Sequence, residues 1–418
     1  RWKRAAPGGK GKRHARRVRS QGGKSTLEAC APRKKEMRFL HTSDWHLGKT
    51  LRSHTRNDEH EAALAEIIDI AGREKIDCVL VTGDVFDSQS PPPEAERLAF
   101  QFFSELRGLK IPAVVIGGNH DHPKRLLAIR GLLQFLDIHI RPEPSRPTEG
   151  GVVQIKKGAE VAQIAVLPFV SIGRIEDAAQ LMGPEVERYQ QYSERIGAMC
   201  EALAASFSAK TINVMMAHLY VDGAQTSRSE REVHVAKPYA VSAKRFPSTA
   251  SYIALGHLHR PQDVAAPSPA RYAGSTLQLD FGEQDQKKRI VVVDARAGKP
   301  ASIESHELKS GRKLMDVTGI IDELKAQADA LADTFLRVTV KLDGPTPGIA
   351  DKVHEILPNA LEVRLEYPRV DKPAVAIAGL EPKDIFRQYY VTEKGSEPSD
   401  KLNQLFDSLY EEALNAAD

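Results

Sequence analysis

The chain has 418 residues, 41% of them apolar or aromatic by the AVILMFWYC count, which is enough for two or three domains with cores of their own. It contains no apolar run of about 18 residues or more, which excludes a helical membrane span. Its three cysteines, Cys30, Cys78 and Cys200, share no close spacing, which excludes a disulfide framework or a cysteine zinc site and fits a reducing cytoplasm.

The formal charge of +3 conceals an asymmetry. Residues 1–36 carry 13 Lys/Arg against Glu28 and Glu36, a net +11, which leaves −8 on the remainder. Any nucleic-acid surface on the body must therefore be a local patch. Residues 1–36 are basic and Gly-rich with almost no periodicity, and they read as a disordered, non-native extension. The natural start is expected at Met37, which opens a strand; a DNA-binding arm is the functional alternative for the segment. It has no apolar stretch of the secretory kind. Gly23-Lys24-Ser25-Thr26 looks like the end of a phosphate-binding loop, but the first glycine of that motif would fall at Val18 and no strand precedes it.

Met37 to Thr42 predicts a strand that ends in Ser43-Asp44-Trp45-His46. Asn57 to Lys75 predicts an amphipathic helix with Ala63, Ile67, Ile70 and Ala71 on one face. Asp77 to Thr82 is the next strand, ending in Gly83-Asp84-Val85-Phe86-Asp87. Pro91-Pro92-Pro93 opens a helix to about Leu109, proline being tolerated in a first turn. Its stripe of Leu98, Phe102, Phe103 and Leu106 fits core packing, with a dimer face as the alternative. Pro112 to Ile116 is a strand running into Gly117-Gly118-Asn119-His120-Asp121, and a helix follows from Pro123. From about Ile138 to Phe169 the pattern is β-rich, and 184–207 reads as one helix. Thr211 to Met216 is a strand delivering His218, and Ser251 to Leu255 one delivering Gly256-His257-Leu258-His259. Early alternation of strands and helices, then a dominance of strands, predicts a layered α/β sandwich with mixed sheets.

A composition shift near Arg312 marks a boundary. The expected division is an extension at 1–36, a main domain at 37–311, a small α+β unit at 312–370, and a linker with C-terminal helices at 371–418. In the tail, Phe386, Tyr389 and Tyr390 close one helix and Leu402, Leu405, Phe406, Leu409 and Leu414 stripe another. The tail is too short for its own core, so it folds back on the body or binds a partner.

Five strand ends thus carry Asp44, His46, Asp84, Asn119, His218, His257 and His259. Imidazole, carboxylate and amide oxygen without thiolate favour Mn²⁺, Fe or Zn²⁺ over Cu(I), and the histidines disfavour an all-Mg²⁺ site. Seven ligands exceed what one ion needs and suit two, about 3.5–4 Å apart on a bridging carboxylate, an arrangement fitted to phosphate ester hydrolysis. His120, beside Asn119, can supply the leaving group's proton, since an unperturbed imidazole titrates at about pH 6.5. Asp121 is expected to orient this turn or a neighbouring histidine. A lone histidine is more often structural than a ligand, and His41, His54, His60, His122, His139, His234 and His306 are read that way.

The ordered set Asp-x-His, Gly-Asp-x-x-Asp, Gly-Asn-His-Asp, a strand-end His and Gly-His-x-His resembles the calcineurin-like metallophosphoesterases. Within them, residues 37–49, 217–223 and 272–283 are similar to bacterial nuclease subunits that process DNA breaks, and the resemblance covers about 37–418. It implies an α/β/β/α sandwich, a capping domain at 312–368, and two divalent ions, Mn²⁺ foremost. It implies that Asp44, His46, Asp84 and His259 hold one ion and Asp84, Asn119, His218 and His257 the other, with Asp84 bridging and His120 acting at the leaving group. The implied activity is a 3′–5′ exonuclease on duplex DNA ends and an endonuclease on hairpins, in DNA repair, replication and recombination. The implied partner is a coiled-coil ATPase gripped by the C-terminal tail, with a homodimer formed through 93–109 and 123–136. Some relatives have His where this chain has Asp87, so Asp87 receives no catalytic role. Two rivals are weighed. Protein phosphatases of this type carry Arg after the second Asp of GDxxD and GNHE for GNHD; here Ser88 and Asp121 stand there, which suits a diester. A non-catalytic scaffold would be expected to lose ligands, and this chain keeps Asp84, Asn119, His120, His257 and His259. Arg125, Arg130, Lys156, Lys157, Arg228, Arg231, Lys237, Lys244 and Arg245 are candidates for phosphate contact.

Overall fold

A computed structural model of the protein describes residues 36–368 and 380–415. The expectations for residues 1–35, including Cys30 and the Gly23–Thr26 stretch, and for most of the Pro373–Pro382 linker lie outside these residues.

The strand-forming segments are near-continuous runs of β-branched and large aliphatic residues, the pattern of strands buried on both faces. Met37–Thr42, Cys78–Val81, Ala113–Ile116 and Ile138–Arg141 pair in parallel, and Arg289–Ala295 and Ser302–Glu307 extend the sheet antiparallel on the far side of Met37–Thr42. In a second six-stranded sheet the parallel strands are Glu160–Leu167, Ile212–His218, Tyr252–Gly256 and Ala270–Tyr272. Antiparallel Val152–Lys157 and Gln262–Val264 lie at its two edges. The sheets face each other across a dry layer that includes Phe39, Leu80, Val114, Ile164, Val214, Met216 and Tyr252. Helices Asn57–Arg73 and Pro93–Gly108 cover the outer face of the first sheet, and Ile175–Met182 and Tyr192–Leu203 that of the second. This is the α/β/β/α sandwich with mixed sheets. All parallel strands of both sheets end on one side, and the five motif loops follow such ends.

The stripe of Pro93–Gly108 belongs to the core. Leu98, Phe102, Phe103 and Leu106 are buried, and Phe102 packs edge-on against Trp45 at 4.8 Å between ring centroids. The single helix expected at 184–207 is instead one turn at Pro184–Glu187 and a separate helix at Tyr192–Leu203. Between them the backbone extends at Gln191, and Arg195 Nε donates to the Tyr189 carbonyl at 2.6 Å, satisfying an acceptor that the interrupted helix leaves open. Ile175–Met182, which packs beside them, was not anticipated from the sequence. The helix from Pro123 is also two pieces, Pro123–Ala128 and Arg130–Phe135.

Residues Lys313–Gly319, Thr334–Lys341 and Ala360–Glu366 form a three-stranded parallel sheet crossed by Ile321–Ala326 and Ile349–Ile356, with its own core of Leu324, Leu336, Val338, Val340 and Val353. Arg52, at the tip of a hairpin that follows His46, reaches Glu362 at 2.6 Å and Asp280 at 3.3 Å and so ties this unit to the main body. Helices Pro382–Lys394 and Asp400–Asn415 pair through Phe386 stacked on Phe406, 4.3 Å between ring centroids. No helix among the described residues is long and apolar enough to cross a membrane.

Candidate metal centre

The loops after Met37–Thr42 and Cys78–Val81 are zipped together by main-chain bonds: Asp44 N–H to the Gly83 carbonyl at 3.1 Å, His46 N–H to the Asp84 carbonyl at 3.0 Å and Leu47 N–H to the Val85 carbonyl at 3.0 Å. Asp121, expected to orient its own turn, accepts from the backbone N–H groups of Gly118, Phe86 and Val85 at 2.9, 3.0 and 3.3 Å. It therefore joins the third loop to the second. The fit is close enough that a Cβ on Gly118 would collide with the Asp84 carboxylate, and one on Gly83, at φ +96°, with His218 Nδ1. Four of the site residues hold strained backbone: Asp44, His46 and Asp84 have φ of 48°, 49° and 49°, and His257 has 103°. Such conformations persist only where surrounding structure imposes them, and they cluster at working sites.

All seven candidate ligands converge. Asp44, His46 and His259 bring three donor atoms within 4.8 Å of one another, and Asp84, His218 and His257 do the same. Asp84 stands between the groups, with Oδ2 at 3.4 Å from His218 Nε2 and 3.7 Å from His46 Nε2, while Oδ1 accepts the His120 N–H at 2.8 Å. Asn119 Oδ1 lies 2.7 Å from His257 Nδ1 and 3.0 Å from His218 Nε2. Asp44 accepts the His257 N–H at 3.0 Å, which closes the ring of loops.

These residues fit metal ions for a reason visible in each imidazole. His46 Nδ1 donates to Asp87 at 3.1 Å, His218 Nδ1 to the Thr82 carbonyl at 2.7 Å, and His257 Nε2 to the His234 carbonyl at 3.2 Å. His259 Nδ1 donates to Ser229 Oγ at 2.7 Å, and Ser229 in turn donates to Glu283. With one ring nitrogen committed outward, the other turns inward, the arrangement by which proteins fix metal-binding histidines. His46 Nε2 is buried and has no hydrogen-bond partner among the described residues. A buried polar atom left so is costly unless something binds it.

The electrostatics agree. Burial, with Asp84 adding repulsion, pushes the Asp44 carboxyl up to about 7. Burial disfavours a charged His218, yet the Asp84 carboxylate outweighs it and raises His218 to about 9. Burial and a cationic His218 hold His257 well below the usual imidazole range. A cation between these groups replaces the protons on His218 and Asp44. Metal uptake is therefore expected to release protons near pH 7, and apparent affinity to rise with pH between 6 and 8 by about tenfold per unit for each proton displaced. Calorimetric titration with Mn²⁺ in buffers of different ionisation enthalpy measures that release; a pH-independent affinity would contradict it.

Several contributors lie outside the sequence motifs. Asp87 links His46 Nδ1 to Lys49 Nζ, each at 3.1 Å, and its carbonyl accepts His120 Nδ1–H at 2.7 Å. Burial would raise its carboxyl, but His46 and Lys49 hold it far below the ordinary range. Glu283 is fully buried, 2.6 Å from the buried Lys288 ammonium and 3.2 Å from His259 Nδ1. His234, read as structural, supplies a carbonyl that orients His257. Of the other histidines, His41 is buried between Tyr252 Oη and Thr82 Oγ1, both at 2.9 Å.

Comparison with known proteins now places the chain. Residues 37–261 match the calcineurin-like phosphoesterase family, a class whose fold implies a dinuclear site for divalent metals, and residues 306–394 match the family described as type 5 capsule protein repressor C-terminal domain. The chain is 33% identical over 385 residues to the D subunit of nuclease SbcCD from Bacillus subtilis, covering 88% of this chain and 97% of that one. It is 29% identical to the Escherichia coli K12 protein of the same name over 317 residues, 73% and 77% of the two chains. The Rhodobacter capsulatus protein is 29% identical over 383 residues, 84% and 92%. The chain belongs to the SbcD family of calcineurin-like phosphoesterases.

Proposed function

We propose that this chain is a metal-dependent DNA nuclease, a phosphodiester hydrolase acting as a 3′–5′ exonuclease on duplex ends and an endonuclease on hairpins. The observation that carries the reading is the Asp84 carboxylate set between His46 and His218 within seven converging donors, with His120 alongside. Asp44, His46, Asp84 and His259 would hold one ion, and Asp84, Asn119, His218 and His257 the other. Mn²⁺ is the ion proposed, since N/O donors without thiolate suit it. Bound divalent ions supply Lewis acidity to phosphoryl oxygens and a nucleophile at neutral pH.

The chain itself handles the leaving group. His120 Nδ1–H is committed to the Asp87 carbonyl, and its ring edge rests on His46, 4.6 Å between centroids. Only Nε2 is left to carry a proton toward the departing oxygen. Burial lowers the His120 pKa, with Asp84 opposing. A substrate phosphate adds negative charge and favours the protonated ring, so proton transfer is coupled to substrate binding.

We further propose the 37–311 nuclease domain, the 312–370 cap and the 371–418 partner-binding segment as the working division. The name shared by the SbcD relatives supports an ATPase partner, SbcC, gripping the C-terminal helices, where Tyr389, Leu405 and Leu409 are exposed beside the Phe386–Phe406 stack. A homodimer within a heterotetramer would use Leu132 and Phe135, which are 64% and 82% exposed; the stripe of Pro93–Gly108 is not free to take part. The proposed location is the cytoplasm.

The test is to incubate the purified chain with Mn²⁺ and labelled duplex or hairpin DNA, in parallel with a p-nitrophenyl phosphodiester and the His120→Ala variant. Both substrates are expected to be cut, and the variant to lose about 10²–10⁴-fold in kcat. Diester hydrolysis without DNA cleavage, even with the ATPase partner added, would move the substrate elsewhere.

A further inference from the structure

Among the nine basic residues considered for phosphate contact, Arg231 is placed unlike the rest. Arg125 pairs with Glu96 at 2.8 Å, Lys157 with Asp77 at 2.6 Å and Arg245 with Glu194 at 3.8 Å. Arg231 is exposed and forms no ion pair among the described residues; its guanidinium lies 3.4 Å from His120 Nδ1. That ring nitrogen already donates to the Asp87 carbonyl, so it offers Arg231 no lone pair. The guanidinium stands at the reacting centre with its donors unused.

The chain on either side explains why it stays there. Upstream, Ser229 Oγ lies 2.7 Å from His259 Nδ1, and the buried Glu230 carboxylate accepts the His259 N–H at 3.0 Å and the Ser227 N–H at 2.8 Å. Downstream, the His234 carbonyl accepts from His257 Nε2 at 3.2 Å. The segment Ser227–His234 is thus a strap fastened at both ends to the two histidines of one motif, with Arg231 at its middle. Beside it opens a cavity of about 440 Å³ lined by Asn119, Phe169, Arg174, Arg231 and His234, of a size to admit a nucleotide.

We propose that Arg231 binds the reacting phosphate, donating to non-bridging oxygens of the diester and opposing the charge that builds on them in the transition state. An arginine fork matches phosphate oxygens in geometry as well as charge. The inference deepens the phosphodiesterase reading and rests on it; it does not depend on the substrate being DNA.

The experiment compares the full chain with its Arg231→Ala and Arg231→Lys variants, using bis(p-nitrophenyl) phosphate and duplex DNA, with inorganic phosphate as a competitive inhibitor. Arg231→Ala is expected to lower kcat/KM for the small diester by about 10²-fold, mostly in kcat. Phosphate inhibition should weaken by at least about tenfold, and Arg231→Lys should recover part of both losses, since it keeps the charge but not the fork. Bound Mn²⁺ per chain and Tm should not change. Unchanged kinetics on the small diester with a raised KM on DNA would overturn the proposal, since Arg231 would then contact the backbone away from the reacting phosphate. Lost Mn²⁺ in both variants would also overturn it by reducing Arg231 to support of the strap. A wild-type chain that cuts the diester but no DNA would sink the nuclease reading alone, because this comparison is read on the diester.

Discussion

Asp84→Asn is expected to lower phosphodiester hydrolysis by at least about 10³-fold while leaving the fold in place. The side chain keeps its shape, and its oxygen can still accept the His120 N–H now bonded at 2.8 Å. What disappears is the charge facing both His46 and His218, at 3.7 and 3.4 Å. No other candidate ligand faces both groups of donors, so its neutralisation should reduce bound Mn²⁺ from two per chain to at most one. The loss exceeds the 10²–10³ that follows removal of one stabilising donor, because both proposed ions share this ligand. Circular dichroism and Tm check the fold, and metal analysis after dialysis checks the stoichiometry. A variant that keeps more than a tenth of the activity would show that Asp84 is not the shared ligand.

The second large effect is on stability. Glu283→Ala should cost about 3–5 kcal/mol, the range found when one member of a buried ion pair is removed. The carboxylate holds the Lys288 ammonium at 2.6 Å and accepts the Leu279 N–H at 3.1 Å, in addition to Ser229 and His259. Truncation leaves a buried cation and a buried N–H without their partner. Urea denaturation of the metal-free protein measures the loss. The double variant Glu283→Ala/Lys288→Met, which removes both charges, should recover part of it. The pH dependence has a definite sign. Burial works to raise Glu283, but Lys288 and His259 hold it far below its ordinary 4.5. A depressed carboxyl stabilises the fold fully above its unfolded pKa, so this contribution is retained at neutral pH and drains away as the medium falls below about pH 4.5. A midpoint shift of under about 1 kcal/mol for Glu283→Ala would contradict this role.

The sequence made the inner ring of the site legible because each donor follows an apolar strand within a short, turn-bearing motif. It could not reveal how the donors are held. The acceptors that orient His218 and His257 are main-chain carbonyls of Thr82 and His234, which carry no side-chain signature. Ser229, Glu230 and Glu283 come from loops far along the chain, brought to His259 only by the second sheet. The one available hint was Glu283, which closes the Tyr272–Glu283 stretch five residues before Lys288. Helix lengths were legible where one apolar stripe runs unbroken, as in Asn57–Arg73. They were not at 184–207, where the contact between Arg195 and the Tyr189 carbonyl marks a break that periodicity does not show.

The central claim is that side chains from five strand-end loops make one centre for two divalent ions. Equilibrium dialysis of the metal-free chain against Mn²⁺, followed by elemental analysis, tests it most directly. The expected result is two Mn²⁺ per chain at saturation at pH 8. A single ion per chain, or none, would contradict the two-ion centre and the hydrolytic mechanism that rests on it.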